Sequence, residues 1–189
     1  MPAPLVGIFV GGRGSRMGGV AKGLLVAPGA AETLVARLER VAREALGDPE
    51  VVLVGRAEAY ASLGLPFLED QPPGVGPIGG LGALLGAAAE RGSPFALALA
   101  CDLPFVSAAL LRRLSAFEPR ASAVAPRQGE LWQPLCARYA PTPAREATRA
   151  LIATGARSLQ AVLTALDAVE LPLETSDELR DWDEPGDLS

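Results

Sequence analysis

Four short apolar runs, "LVGIFV", "VVLVG", "PFLE" and "FALALA", recur along the first part of the chain with helical patterns between them. They are built from Val, Leu, Ile, Phe and Ala and do not alternate with polar residues. That composition suits a strand buried on both faces, as in a parallel sheet. The intervening helical patterns cover Glu32 to Leu46, a short piece from Ala57 to Leu63, and Ile78 to Glu90. A further helix is expected from Ser107 to Phe117, with Ser107 as its N-cap.

This β-α-β-α alternation predicts an α/β fold: a doubly wound, mostly parallel, Rossmann-like sheet with helices on both faces. Later in the chain "ASAVAP" and "PLCARY" read as strands, Pro143 to Thr154 and "SLQAVLTAL" as helices, and "AVELP" as a last strand. At 189 residues the chain is expected to form a single domain, 1–189, with a large apolar core from its 49% hydrophobic residues.

Composition removes several chemistries. Histidine is absent, which excludes a Ser-His-Asp triad, a Cys-His pair and a His-ligated zinc. Catalysis must then run on carboxylates, Arg, Lys, backbone amides and a hard metal ion. The net charge of −5 argues against a nucleic-acid partner. No apolar run reaches the length of a membrane span, so no membrane partner is expected either. The N-terminus lacks a basic region and a cleavage pattern, and a cytoplasmic location is expected. Cys101 and Cys136, both in apolar surroundings, suit reduced, buried thiols.

In an open parallel sheet, ligands bind beyond the carboxyl ends of the strands where the strand order reverses. With the order 3-2-1-4, the first strand runs into "GGRGSRMGGVAKG" and the fourth into Cys101-Asp102-Leu103-Pro104 beside it. The third ends at Asp70. The loop holds Lys22, the one lysine of the chain. Its glycines allow close backbone approach to a ligand, and successive N–H groups make an anion-binding concavity. Arg16 can fork onto phosphate oxygens, and Lys22 offers a compact charge on a flexible stem. The loop is not a P-loop, because no Gly-Lys-Ser/Thr follows. "GVGPIG", Gly74 to Gly79, has dinucleotide-loop spacing but follows two prolines, and reads as a turn into a helix.

Taken in order, these segments resemble the MobA-like nucleotidyltransferases. The residues that carry the resemblance are "FVGGRGSRMGGVAKGLL", "YASLGLPFLEDQPPGVGPIGGL", "CDLPFV", "QPLCARY" and "DWDEPGDL". It implies that Phe9, Val10, Gly11, Gly12, Arg13, Gly14, Lys22, Asp70 and Asp102 bind the nucleotide, with Lys22, Arg16 and Asp102 catalytic. It implies Asp102 and Asp183 as ligands of Mg²⁺, and Gly79, Arg157 and Asp183 on the acceptor side. Departures are Ala21, where the family carries Asp, and Leu53, where it carries Asn after strand 2. Asp181 and Asp183 stand in place of two Asn.

The activity implied is transfer of GMP from GTP to the phosphate of molybdopterin with release of pyrophosphate. Molybdoenzyme-maturation proteins are implied partners. The residues alone leave open a cytidylyltransferase, another NTP transferase with a different phosphorylated acceptor, or a nucleotide-binding module without catalysis.

Overall fold

The computed structural model describes residues 2–10, 21–27, 31–55 and 58–179. In chain order the elements are β1 (Leu5–Phe9), α1 (Leu34–Leu46), β2 (Glu50–Val54), β3 (Phe67–Leu68), α2 (Pro77–Glu90), β4 (Ala96–Ala100) and α3 (Ala108–Ala116). There follow β5 (Ala123–Ala125), β6 (Arg127–Gln128), β7 (Leu131–Trp132), β8 (Cys136–Tyr139), α4 (Pro141–Ala153), α5 (Leu159–Ala165) and β9 (Val169–Glu170). Seven strands form one sheet in the order β3-β2-β1-β4-β8-β5-β9.

The first four strands are parallel, and β1 lies between β2 and β4 with Phe9 opposite both Val54 and Ala100. Successive residues of β1 face opposite ways. Val6 and Ile8 join the core under α1 and α3, while Leu5 and Phe9 join the core under α2 and α4. All five residues of β1 are buried, as its unbroken apolar run demands. Gly7 lets α2 come close: a Cβ there would lie 2.8 Å from both Leu84 methyls.

Local signals set the helix ends. Thr33 Oγ1 accepts from the Ala36 amide at 3.3 Å, so α1 starts at Leu34 rather than at Glu32. Ser107 Oγ accepts from the Leu110 amide at 3.1 Å and opens α3 as expected. The short piece after β2 is a 3₁₀ turn, Glu58–Leu63.

The second half departs from simple winding. β8 inserts antiparallel between β4 and β5, while β5 and β9 run parallel to each other. A small hairpin, β6 with β7, precedes β8. Among the described residues no helix is long and apolar enough to cross a membrane.

Candidate active site

The strand order reverses where β1 and β4 lie side by side, and their ends are tied together. The Cys101 amide donates to Phe9 O at 3.2 Å, and the Val10 amide to Val54 O at 3.0 Å. The chain is described again from Ala21, where it makes the 3₁₀ turn Lys22–Leu24. Leu24 and Leu25 amides close this turn on Ala21 O and Lys22 O, each at 2.9 Å. Lys22 Nζ then lies 3.6 Å from Asp102 Oδ2, beyond the end of β4. The two side chains are 22% and 28% exposed. They are open to a ligand yet partly removed from water, where a charge interaction is stronger than on a free surface.

Each partner is braced from behind. The Gly23 amide donates to the Tyr60 hydroxyl at 3.2 Å. Tyr60 comes from the turn after β2 and is buried. Burial pushes its hydroxyl up to about 12, with the nearby Cys101 thiol adding to the effect and the Gly23 amide opposing it. On the other side, Arg37 of α1 donates to Val106 O at 2.8 Å, holding the segment that follows Asp102. Cys101 is free and buried. Burial, then the charge of Asp102, pushes its thiol up to about 12 against the pull of Lys22. It is a neutral thiol at physiological pH, not a nucleophile.

Asp70 arrives at the same edge from β3. A Cβ built on Gly80 would lie 3.1 Å from Asp70 Oδ1, 3.1 Å from Phe9 Cε1 and 2.8 Å from Val54 Cγ1. The Asp70 carboxylate and the Phe9 ring therefore meet over the first turn of α2. A cavity of about 660 Å³ opens beside them, lined by Gly55, Glu58, Ala61, Phe67, Asp70 and Gly74. That volume falls in the range of small-molecule sites.

With this geometry in view, comparison with known proteins places the chain. A sequence model of the MobA-like NTP transferase domain matches residues 6–169. The chain belongs to the MobA-like NTP transferase family. A protein named molybdenum cofactor guanylyltransferase from Pseudomonas syringae pv. syringae is 35% identical over 184 residues, covering 94% of this chain and 89% of the relative. A probable molybdenum cofactor guanylyltransferase from Mycobacterium marinum is 32% identical, covering 97% and 91%. The crystal structure of molybdopterin-guanine dinucleotide biosynthesis protein A from Archaeoglobus fulgidus superposes with a TM-score of 0.74 at 27% identity, covering 97% of this chain and 94% of that one.

One expectation drawn from the MobA-like pattern needs correction. Leu53 does not follow the second strand. It lies inside β2 opposite Ile8 and is fully buried, so the residue that follows β2 and reaches the cavity is Gly55. Gly79 is buried beneath the segment that follows Asp70. A Cβ there would meet Pro72 O at 2.6 Å and Val75 Cγ2 at 2.9 Å, so the close packing at this position requires glycine. "GVGPIG" is a turn into α2, with Gly74 at φ 76° and Gly76 at φ 80°.

Arg157 is exposed in the connection between α4 and α5. Its guanidinium donates to the adjacent Ala156 carbonyl at 3.2 Å. Gly11, Gly12, Arg13, Gly14, Arg16 and Asp183 lie outside the described residues. Tyr60 and Arg37 were missed from sequence. A tyrosine in a short turn and an arginine on a helix carry no motif, and only the fold shows what they hold.

Among the described residues no cluster of three or more metal-ligating side chains occurs. The donor set fits Mg²⁺ even so, since this ion takes one or two carboxylates and fills its shell with water and substrate phosphate. Asp102 is such a carboxylate, partly exposed at a strand end.

Proposed function

We propose that this chain, acting as one domain over residues 1–189, is a guanylyltransferase. It moves GMP from GTP to the phosphate of molybdopterin and releases pyrophosphate. The observation that carries the reading is the Lys22–Asp102 pair, 3.6 Å apart at the sheet edge where β1 meets β4. The names of the relatives supply the substrates, and the cavity beside Asp70 supplies room for a nucleoside.

The chemistry asks little of proton transfer. The acceptor phosphate is ionised at neutral pH, so its oxygen attacks the α-phosphorus of GTP without a general base. One P–O bond forms to the acceptor and the bond to the β-phosphate oxygen breaks, leaving pyrophosphate. A chain without histidine can do this by placement and charge alone. Lys22 turns its ammonium from Asp102 to the phosphates, and Arg16 balances further charge. Amides of Gly11, Gly12 and Gly14, with Arg13, cradle the triphosphate, and Phe9, Val10 and Asp70 line the nucleotide. Asp102 would hold Mg²⁺, with Asp183 a second oxygen donor; when bound, the ion supplies neutralisation of the triphosphate. Arg157 and Asp183 face the acceptor. The reaction belongs to the cytoplasm, where proteins that mature molybdoenzymes take the product.

The test is pyrophosphate release by the purified protein with Mg²⁺, molybdopterin and GTP, CTP or ATP in competition. Turnover with GTP and acceptor together is the expected result. Equal turnover with CTP would replace the base assignment. Tight GTP binding with no transfer would leave a binding module.

A further inference from the structure

The 3₁₀ turn Glu58–Leu63 has two faces. Glu58 and Ala61 line the cavity beside Asp70. Tyr60, between them in sequence, points the other way and is buried, with its hydroxyl on the Gly23 amide at 3.2 Å. Gly23 directly follows Lys22, so this bond fixes the backbone from which the Lys22 side chain departs. Gly23 has little room to shift: a Cβ there would lie 2.6 Å from Val35 Cγ2 and 2.9 Å from Tyr60 Cε1. The hydrogen bond is buried, and removing the hydroxyl would take from the Gly23 amide the acceptor it has there.

We propose that Tyr60 is a positioning residue, which anchors the Gly23 amide and so holds the Lys22 ammonium at Asp102. It touches neither substrate nor metal. It acts because a lysine stem has several rotatable bonds, and the direction of its backbone origin decides where the charge is delivered. Misplacement of a reacting group by about 1 Å can cost on the order of a hundredfold in rate. The same turn carries one wall of the cavity, so a nucleoside seated against Glu58 and Ala61 packs on the element that orients Lys22. The inference rests on the reading of Lys22 and Asp102 as the reacting pair.

The experiment uses the single lysine. In full-length protein labelled with ¹³C-lysine, one ε-methylene signal reports Lys22 without assignment. Tyr60→Phe keeps the ring and removes the acceptor. The expected result is a Lys22 signal displaced toward that of free lysine, as in Asp102→Asn, with kcat down about tenfold and KM for GTP within about threefold. Tyr139→Phe, the same change at the other buried tyrosine, is expected to leave the Lys22 signal in place. If Tyr60→Phe is too unstable to assay, Tyr60→Gln offers an amide oxygen to Gly23 and Tyr60→Leu does not. The first is expected to keep the wild-type signal and the second to lose it. A Lys22 signal that Asp102→Asn moves and neither Tyr60→Phe nor Tyr60→Leu moves would overturn the proposal. Failure of the wild type to release pyrophosphate from GTP would overturn the guanylyltransferase reading instead, and the lysine signal would still decide the role of Tyr60.

Discussion

The two halves of the sheet handle buried polar groups in opposite ways. In β3-β2-β1-β4 every strand runs the same way, so Val10, Gly55, Asp70 and Asp102 all emerge at one edge. The buried hydroxyl of that half, Tyr60, accepts from an amide next to Lys22. In β8-β5-β9 the strand β8 runs against both neighbours, and its carboxyl end points to the far edge. Its polar side chains are spent on the scaffold. Arg138 donates to Phe117 O at 3.0 Å and Glu118 O at 2.7 Å at the end of α3, and the Tyr139 hydroxyl donates to Pro134 O at 2.9 Å. Of the seven strands in this sheet β8 is the reversed one, since β5 and β9 run with β1–β4, and that reversal turns its carboxyl end away from the site.

The strongest way to break that division is substitution at the edge. Asp102→Ala and Lys22→Ala are each expected to cut turnover by at least about a hundredfold, the scale for removing one preorganised charge from a reacting site. Both side chains are about three-quarters buried at the rim rather than in the core, so melting temperatures should stay within a few degrees of wild type. Steady-state pyrophosphate release and thermal melts check this. Full activity in Asp102→Ala removes the metal role.

Alkaline pH presses on both halves together. Cys101 and Cys136 are each pushed from 9.0 to about 12 by burial, and Tyr60 from 10.0 to about 12. Burial raises Tyr139 as well. Above about pH 9 the unfolded chain releases protons that the folded chain retains. The folded state then binds more protons, and stability falls as pH rises. The melting temperature should be insensitive to these four groups below pH 9 and decline between about 9 and 12. Cys136→Ser should flatten the decline without moving the pH profile of turnover, since that thiol is fully buried in the sheet core and has no assigned role in the reaction.

A smaller effect sharpens the contrast between the two tyrosines. Tyr139→Phe leaves Pro134 O without its donor, and is expected to cost about 1–2 kcal/mol in urea unfolding with kcat unchanged. Equal loss of turnover in Tyr139→Phe and Tyr60→Phe would erase the distinction between the halves.

The first half was also the more legible in sequence. Its inner strands β2, β1 and β4 are apolar runs covered on both faces, while β3 at the edge leaves Phe67 exposed, and their order followed from the βαβ rule. Asp70 and Asp102 stood out as carboxylates that end such runs. The second half was harder to read because β5, β6, β7 and β9 have two or three residues each, too few for a period to show. The direction of β8 is a property of its partners, which periodicity does not contain. Leu53 was misplaced for a related reason: a strand's last residue is set by pairing, and β2 continues through Val54. Tyr60 was invisible because its partner is a backbone amide distant in sequence.

The smallest expected effect separates a close ion pair from a useful one. Arg40 NH2 lies 2.6 Å from Glu32 Oε1, and Arg40 Nε reaches both carboxylate oxygens at 3.2 Å. By distance this pair is tighter than Lys22–Asp102. Glu32 is as covered as Asp102, but Arg40 is 55% exposed against 22% for Lys22, and a half-exposed guanidinium has a weaker attraction that the ordering of its long side chain offsets. The guanidinium holds the Glu32 carboxyl below its ordinary 4.5, so the pair's contribution is present above that pH and lost as pH falls through the lowered value. Glu32→Gln is therefore expected to shift the melting temperature at pH 7 by less than about 2 °C and to leave turnover unchanged. A larger shift would show that charge on α1, next to the Lys22 turn, is coupled to the edge. Rank among these pairs would then follow distance, and the burial that sets Lys22 apart from Arg40 would carry no weight.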